Sequence, residues 1–496
     1  MQSAHHKPLR ALFLGIDGAT DDVIGPMTQR GDLPNIAALR ARGAYGRLKS
    51  QLGYSSPALW GSIESGYSPE THGILGFPTA LRGNLRKPRI HERLEQVGWN
   101  VGMCRMFCNW PPAENEVFVV PSFADVATEA HPQWVTPLCQ GKSLLRFGKL
   151  ARYLYHVSKA RLGVLWKILV AGALLPGIGN ERSKAYFRLQ NAQNWLYARL
   201  SQRLVTKLQP DYGAIMIGMA DSIGHRYWRF HHSRQQGQDD RDTRRLGGVV
   251  EDAYRQIDRT VGECLALTNK ETLIVMVSDH GMEFVDRSGD NLTPASSLPS
   301  VLQLPDDIEA YFSGYIAYLA LPPGSGDIRE LLARLQKTRL QPDDQELFDP
   351  CHMSGERIRL GISRRIQWAP NARVEIWSGQ KVHLSHLVRR EPRRSGDHGN
   401  APDGVVLFAG AGVNAGNEIR EASQFDIAPT VLSLLGQPIP ADCEGAPLAA
   451  VLNPDVLRNV RETQDNSDIH HTGPTERTSK DEEELIERLR ELGYVD

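Results

Sequence analysis

Cysteine and net charge are both scarce in this 496-residue sequence. Its six cysteines show no paired framework, which excludes a disulfide-stapled secreted scaffold and favours reduced thiols in the cytoplasm. The formal net charge is −1, so no global field attracts nucleic acid, and we predict no nucleic-acid partner. Any electrostatic specialisation must therefore be local.

Long hydrophobic runs are also missing. The first apolar run, 11–16, is short and leads directly into Asp17 without a small-residue cleavage site, which is atypical of a signal peptide. The run at 162–179 is interrupted by Lys167 and broken by Pro176. A membrane-spanning helix needs about 20 mostly apolar residues, so the sequence predicts no transmembrane segment.

Short buried-type strand patterns alternate with helical patterns along the chain, which predicts an α/β fold with a mostly parallel central sheet flanked by helices. The predicted strands are 9–16, 212–219, 272–277 and 404–409, and the predicted helices are 35–43, 192–208, 249–267 and 427–435. Three of these strands lead into Asp17, Asp221 and Asp279, and the fourth follows His398. Ligands of such sheets bind beyond the carboxyl ends of the strands, where we expect these residues to meet.

Composition divides the chain into a catalytic core and additions to it. The predicted parts are a core of 1–129, 181–299 and 396–452, a basic amphipathic insertion at 130–180, a cap at 300–395, a polar flexible linker at 453–482 and a C-terminal helix at 483–496. That helix is amphipathic, and docking on the body and docking on a partner both fit its pattern. The sequence gives no indication of the oligomeric state.

The basic insertion contains no Asp or Glu but seven cations: Lys142, Arg146, Lys149, Arg152, Lys159, Arg161 and Lys167. One interpretation is an ordinary solvated face. The other is a cationic surface that binds anionic lipid, with Trp166 and its apolar neighbours on the membrane side. The second interpretation predicts a cytoplasmic protein with peripheral membrane contact.

Two pairs of residues have the chemistry of metal ligands. Asp221 and His225 are four residues apart, so one helical turn can direct both at one ion, and Asp279 and His280 are adjacent at a strand end. Carboxylate and imidazole are the ligands that Zn²⁺ prefers, and Mn²⁺ accepts them too. Taken singly, an aspartate at a strand end is more often a helix cap, and a lone histidine is usually a solvated side chain.

Ser56 precedes a proline, a pattern typical of a helix N-cap followed by a first-turn residue. Capping alone explains the pair. The same geometry also brings backbone N–H groups and the positive end of a helix dipole near the hydroxyl, which favours a bound phosphate. A serine hydroxyl is a weak nucleophile, and a nearby metal ion can activate it.

These motifs, in this order, resemble the type I phosphodiesterase and nucleotide pyrophosphatase family of the alkaline phosphatase superfamily. The stretch Gly15-Ile16-Asp17-Gly18-Ala19 resembles its first metal motif, and Ser56 falls where the family has its Thr or Ser nucleophile. The other similar motifs are Pro69 to Ile74, Asp221 with His225, Ser278 to Met282, Gly396-Asp397-His398, Asp403-Gly404, Asp426 to Thr430 and Asp442 to Leu448. The resemblance extends over roughly residues 9–450, with gaps at the two additions.

The resemblance implies a hydrolase of small phosphate esters, preferentially diesters, with two divalent ions, of which Zn²⁺ is expected and Mn²⁺ is the alternative. One ion would be held by Asp17, Ser56, Asp279 and His280, and the other by Asp221, His225 and His398. Ser56 would attack phosphorus and form a phosphoserine that water then hydrolyses. Two ions about 4 Å apart stabilise the attacking and leaving oxygens of such a displacement.

Two departures from the family pattern leave alternatives open. Leu59 occupies the position at which the nucleotide pyrophosphatases have an Asn, and His398 is followed by Gly-Asn-Ala instead of Arg-Pro. A phosphomonoesterase, a phosphonate hydrolase or a phosphotransferase would use the same residues, and an inactive metal-binding module is a further alternative. A sulfatase is disfavoured because the Ser-Pro motif lacks the arginine that a sulfatase nucleophile motif requires.

Overall fold

The computed structural model describes residues 9–51, 54–77, 79–125, 129–136, 183–284, 292–295, 297–313, 316–321, 326–354, 357–363, 365–367, 369–390, 395–463 and 474–492. Apart from 130–136, the predicted basic insertion lies outside these residues. Residues 464–473 of the predicted linker and 493–496 of the predicted C-terminal helix also lie outside them.

The helices and strands of the described residues are numbered in chain order. The strands are β1 (Ala11–Ile16), β2 (Gly43–Leu48), β3 (Val101–Cys104), β4 (Glu116–Val120), β5 (Tyr212–Ile217), β6 (Leu273–Val277), β7 (Glu283–Phe284), β8 (Leu292–Pro294), β9 (Glu309–Ser313), β10 (Ile316–Ala320), β11 (Arg339–Leu340), β12 (Gln345–Glu346), β13 (Phe348–Ser354), β14 (Arg357–Ile362), β15 (Arg373–Glu375), β16 (Lys381–His383), β17 (Val388–Arg390), β18 (Gly396–Asp397), β19 (Gly404–Ala409), β20 (Glu418–Ile419), β21 (Ile439–Pro440) and β22 (Glu462–Thr463). The helices are α1 (Asp21–Gln29), α2 (Pro34–Ala41), α3 (Ser56–Ser65), α4 (Pro69–His72), α5 (Ile90–Gln96), α6 (Ala185–Leu208), α7 (Met219–Gln235), α8 (Arg241–Leu246), α9 (Val249–Leu265), α10 (Leu298–Val301), α11 (Ile328–Leu335), α12 (Ile427–Leu434), α13 (Pro454–Arg458) and α14 (Ser479–Leu492).

The central sheet has eight strands in the order β20-β2-β19-β6-β1-β5-β3-β4. Strand β1 runs parallel to both β5 and β6, β3 runs parallel to β4 and β5, and β19 is antiparallel to β6 and β2. The fold is therefore a mostly parallel α/β architecture, as the alternation of patterns predicted.

Helices cover both faces of this sheet, which is why its inner strands β1, β5, β6 and β19 are buried along their whole length. Along β1 successive side chains alternate between two cores: Leu12, Leu14 and Ile16 pack in the cluster with α6, α7 and α9, whereas Phe13 packs in the cluster with α3 and α12. All six residues of β1 are buried. The backbone at the end of β1 is thereby held rigidly.

Strand β5 is two residues shorter than the sequence predicted. It ends at Ile217, and α7 begins at Met219 after Gly218. The apolar pattern continues unbroken from the strand into the first turn of the helix, so it does not mark the boundary. As a result, Asp221 lies in the first turn of α7.

A second, β-rich unit has its own hydrophobic core. It contains two four-stranded sheets, ordered β13-β14-β10-β9 and β12-β11-β15-β16. Its core includes residues from Leu292 to Val388. This unit overlaps the interval 300–395 for which a cap was predicted, and its core begins earlier, at Leu292.

The C-terminal helix α14 docks on the body of the protein. Leu485 is buried in the cluster under α3, and the Arg488 guanidinium donates hydrogen bonds to the carbonyl oxygens of Phe123 (3.0 Å) and Asp125 (2.7 Å). Among the described residues, no helix is long and apolar enough to cross a membrane.

Candidate active site

The predicted site residues meet at one edge of the central sheet. Asp17 directly follows β1, Asp279 lies two residues after the end of β6, and Asp221 follows β5. These three strands are parallel neighbours, so their carboxyl ends share an edge. His398 precedes β19, whose antiparallel direction brings the start of that strand to the same edge.

The first group consists of Asp17, Asp279 and His280, whose ligand atoms all lie within 4.8 Å of one another. His280 Nε2 is 3.4 Å from Asp17 Oδ1 and 3.5 Å from Asp279 Oδ2. The Ser56 hydroxyl lies 3.4 Å from the same nitrogen. The four residues that the family resemblance assigned to one ion are therefore adjacent.

The second group is built around Asp221. Its carboxylate oxygen Oδ1 is 3.1 Å from His225 Nε2 and 4.0 Å from His398 Nε2. The ligand atoms of Asp221, His280 and His398 lie within 4.8 Å of one another. The rings of His280 and His398 stack with centroids 3.8 Å apart, so His280 joins the two groups.

Backbone hydrogen bonds orient two of the imidazoles. The Nδ1 atom of His225 is 2.9 Å from the carbonyl oxygen of Gly396, and that of His280 is 2.8 Å from the carbonyl oxygen of Gly281. Because a carbonyl oxygen only accepts, both Nδ1 atoms carry the proton. Each Nε2 is then left with its lone pair directed toward the carboxylates, which is the arrangement of metal-binding histidines.

Hydrogen bonds of Ser278 and Gln424 connect the loops at this edge. Neither side chain had been assigned a role from the sequence. Ser278 Oγ accepts a hydrogen bond from the Ala19 N–H (2.8 Å) and donates one to the His280 carbonyl (2.7 Å). The Gln424 side chain donates to the Asp279 carbonyl. Ser278 lies in the motif Ser278 to Met282, but its hydrogen bonds were not predicted because only the folded chain brings its partners together.

Gly18 is required where these loops cross. It has φ +74°, and a Cβ there would lie 2.7 Å from the backbone Cα of Asp221. The close approach lets the Asp221 N–H donate to the Asp17 carbonyl at 3.0 Å. Any side chain at residue 18 would push Asp17 and Asp221 apart.

Burial and mutual repulsion perturb the carboxylates. Asp279 has its pKa raised from 3.8 to about 8 by burial and by the charge of Asp221. Burial, then Asp279 and Asp221, raise the pKa of Asp17 well above its ordinary value. Burial acts in the same direction on Asp221, but in the metal-free site the positive charges that His225, His398 and His280 carry when protonated together outweigh it, and the pKa of Asp221 is lowered.

The donor set fits divalent ions. No hydrogen bond of ordinary geometry from a described residue reaches Asp17 Oδ1 or either carboxylate oxygen of Asp279, although all three atoms are buried. Buried charges without partners are costly, whereas a divalent cation would satisfy them together. Carboxylate oxygens and imidazole nitrogens in these numbers are ligands for zinc or manganese.

Ser56 is the first residue of α3, and Ser55, not Ser56, occupies the N-cap position. The hydroxyl of Ser56 is thus free of the capping role that the sequence allowed for it. His72 contacts two residues of this helix, because its Nε2 lies 3.2 Å from both Ser62 Oγ and the Ala58 carbonyl. Burial lowers the pKa of His72 to about 3, so this imidazole is neutral.

Leu59, at the position where the nucleotide pyrophosphatases have an Asn, is buried one turn after Ser56. It packs in a small apolar cluster with Tyr54 and Ala58. Leu59 offers no side-chain amide to a phosphate oxygen at this position.

A sequence model of the type I phosphodiesterase / nucleotide pyrophosphatase family matches residues 11–375, the larger part of the chain. The chain belongs to this family. Its members are metal-dependent enzymes of the alkaline phosphatase superfamily that hydrolyse phosphate esters. No curated protein matches the sequence significantly.

Family membership confirms the resemblance and the enzyme class that the motifs implied. The matched region contains every predicted site residue except His398. The case for His398 therefore depends on its place beside Asp221 and His280. The roles of the individual residues stay predictions.

Proposed function

We propose that this family member is a phosphodiester hydrolase that works through Ser56 and two divalent ions, Zn²⁺ being the expected metal and Mn²⁺ the alternative. The observation that carries the proposal is the convergence of the Ser56 hydroxyl with two adjoining ligand groups at one sheet edge. Asp17, Asp279 and His280 would hold one ion together with Ser56. Asp221, His225 and His398 would hold the other.

Bound ions would act as Lewis acids and lower the pKa of coordinated hydroxyl groups. The Ser56 oxygen forms a bond to phosphorus as the bond from phosphorus to the leaving alcohol breaks, and the serine proton leaves with the departing group. The phosphoserine is then cleaved by water, which restores the Ser56 hydroxyl and releases the phosphate product. Its position at the start of α3 places the serine where the helix dipole favours the negative charge of the phosphate.

The preference for diesters rests on family membership. A phosphomonoesterase, a phosphonate hydrolase and a phosphotransferase use the same ligand set and are the competing activities. An inactive metal-binding module would keep the ions but turn nothing over.

The test combines turnover with metal analysis. A p-nitrophenyl diester and the matching monoester are compared at identical metal loading, in the wild type and in Ser56→Ala, with Ser55→Ala as the control. We expect faster diester turnover, lost in Ser56→Ala and kept in Ser55→Ala. A monoester rate tenfold or more above the diester rate would reassign the enzyme to the phosphatases, and activity in Ser56→Ala would refute the serine mechanism.

The cellular location is a separate proposal that rests on the sequence. Few cysteines favour the cytoplasm, and the five that the structure describes are free thiols. Seven cations without a carboxylate at 130–180 favour reversible contact with an anionic membrane, at about 1 kcal/mol for each cation near the surface. The protein should sediment with anionic vesicles at low salt and dissociate as salt rises. Failure to sediment at low salt would favour the solvated face.

A further inference from the structure

A small polar cavity adjoins the candidate metal site at Asp17. Asp17 lines it together with residues that follow two other strands, Arg105 after β3 and Phe123 after β4. Helix α6 contributes Gln190, Gln193 and Asn194, which share one helix face. The cavity volume is about 30 Å³, enough for a group the size of two water molecules.

Arg105 brings a positive charge to this cavity in an unusual backbone conformation. Its φ is +61°, a region that residues other than glycine seldom occupy and that is enriched at functional sites. Its guanidinium lies 4.5 Å from the ring centroid of Tyr197. No carboxylate of the described residues forms an ion pair with it, so its charge is available to a ligand.

The amides on α6 reinforce the polarity. Gln190 is only 8% exposed and lines the cavity. Because an amide is costly to bury without a hydrogen-bond partner, the cavity favours a polar ligand or water over an apolar group. Asn194 is held in place because its Nδ2 donates to Thr260 Oγ1 at 2.9 Å.

We propose that this cavity is a subsite for an anionic substituent on the non-reacting ester group of the substrate. The inference rests on the proposed function, because the reacting phosphate would lie beside Asp17. A carboxylate or a second phosphate fits the planar fork of Arg105, and the amide of Gln190 donates to the same oxygens. A neutral polyol would need the amides but not the arginine.

The test uses p-nitrophenyl diesters that differ only in the second alcohol: ethyl, hydroxyethyl, carboxymethyl and phosphonomethyl. We expect kcat/KM of the wild type to be about tenfold higher for the anionic esters than for the ethyl ester, because a charge-assisted hydrogen bond contributes that much. The better of the two anionic esters identifies the headgroup. Equal rates for all four, or a preference for hydroxyethyl, would overturn the proposal.

Two variants test whether Arg105 causes the preference. Arg105→Asn tolerates the positive φ and removes the charge, so the ratio of carboxymethyl to ethyl rates should fall to about one. Arg105→Lys should keep part of the ratio. The control Arg188→Asn, an exposed position on α6, should keep all of it. An unchanged ratio in Arg105→Asn would show that the arginine is structural.

Equilibrium binding separates this inference from the proposed function. Calorimetric titration of the metal-loaded Ser56→Ala variant should give tighter binding of the carboxymethyl than of the ethyl diester. Equal affinities would refute the subsite while leaving diester hydrolysis intact. Tighter binding in the absence of any hydrolysis by the wild type would refute the proposed function and leave the subsite standing.

Discussion

Replacing Asp279 by asparagine should stabilise the metal-free protein although it damages the metal site. A carboxyl group that titrates at about 8 instead of 3.8 costs the folded state about 4 kcal/mol at neutral pH. The asparagine amide removes that cost but leaves a buried polar group, which returns roughly 2 kcal/mol. We therefore expect Asp279→Asn to raise the free energy of unfolding by about 2 kcal/mol in chelator.

The pH dependence follows from the direction of the shift. The folded state binds the extra proton, so the stability of the wild type in chelator falls as pH rises from about 4 to about 8. The advantage of the variant should therefore grow over this range. In acid, where only the cost of the buried amide remains, the variant should be less stable than the wild type. With saturating Zn²⁺ the order at neutral pH should reverse, because ion binding stabilises the wild type more.

Urea unfolding in chelator and in Zn²⁺, at several pH values, measures both effects. Asp258→Asn is the matched control, since this buried carboxylate accepts hydrogen bonds from the Ile36 N–H (2.8 Å) and the Asn35 side chain (2.8 Å). That variant should lose stability in both conditions. Should Asp279→Asn be no more stable than the wild type in chelator, the clustering of uncompensated carboxylates would be refuted.

Three further outcomes are expected. Purified protein should contain two equivalents of divalent metal, and His225→Ala should lose at least one; retention of both by this variant would contradict the ligand assignment. With a diester substrate, a phosphoryl group still esterified to the second alcohol should accumulate transiently on Ser56 during turnover, and mass spectrometry after acid quench should find it there and not on Ser55. Gly61→Ala should lower the stability measured by thermal unfolding, because its Cβ would lie 2.5 Å from the His72 ring. Gly25→Ala, with 3.4 Å to the nearest atom, should raise the stability by up to about 1 kcal/mol in the same assay. Equal effects of the two variants would contradict the packing of His72 against α3.

Local sequence patterns predicted much of the fold and of the candidate site. Strands β1 and β6 are continuous hydrophobic runs that end at small or acidic residues, so the sequence predicted both the strands and the edge position of Asp17 and Asp279. The spacing of Asp221 and His225 predicted a shared helical turn, and α7 provides it. Strands β3 and β4 were not predicted, because neither is followed within two residues by an aspartate, as β1 and β6 are.

The residues that line the cavity were also not predicted. Arg105 can be recognised as an edge residue only once Val101–Cys104 is known to be a strand of the parallel sheet. Gln190 and Gln193 look like ordinary polar positions on a helix. Their burial beside Asp17 depends on how α6 packs across the sheet.

The sequence by itself determined the class of fold, the family and the chemical types of the site residues, since hydrophobic periodicity and ordered motifs are local properties. Only the tertiary structure decided which candidate ligands lie next to each other. The strands β6 and β19 are antiparallel neighbours, so His398 stacks on the ring of His280, and His280 thereby joins the two groups. It also decided the charge states. Asp17, Asp221 and Asp279 are ordinary carboxylates until three separate strands bring them together, away from water, where repulsion and desolvation raise two of the three pKa values.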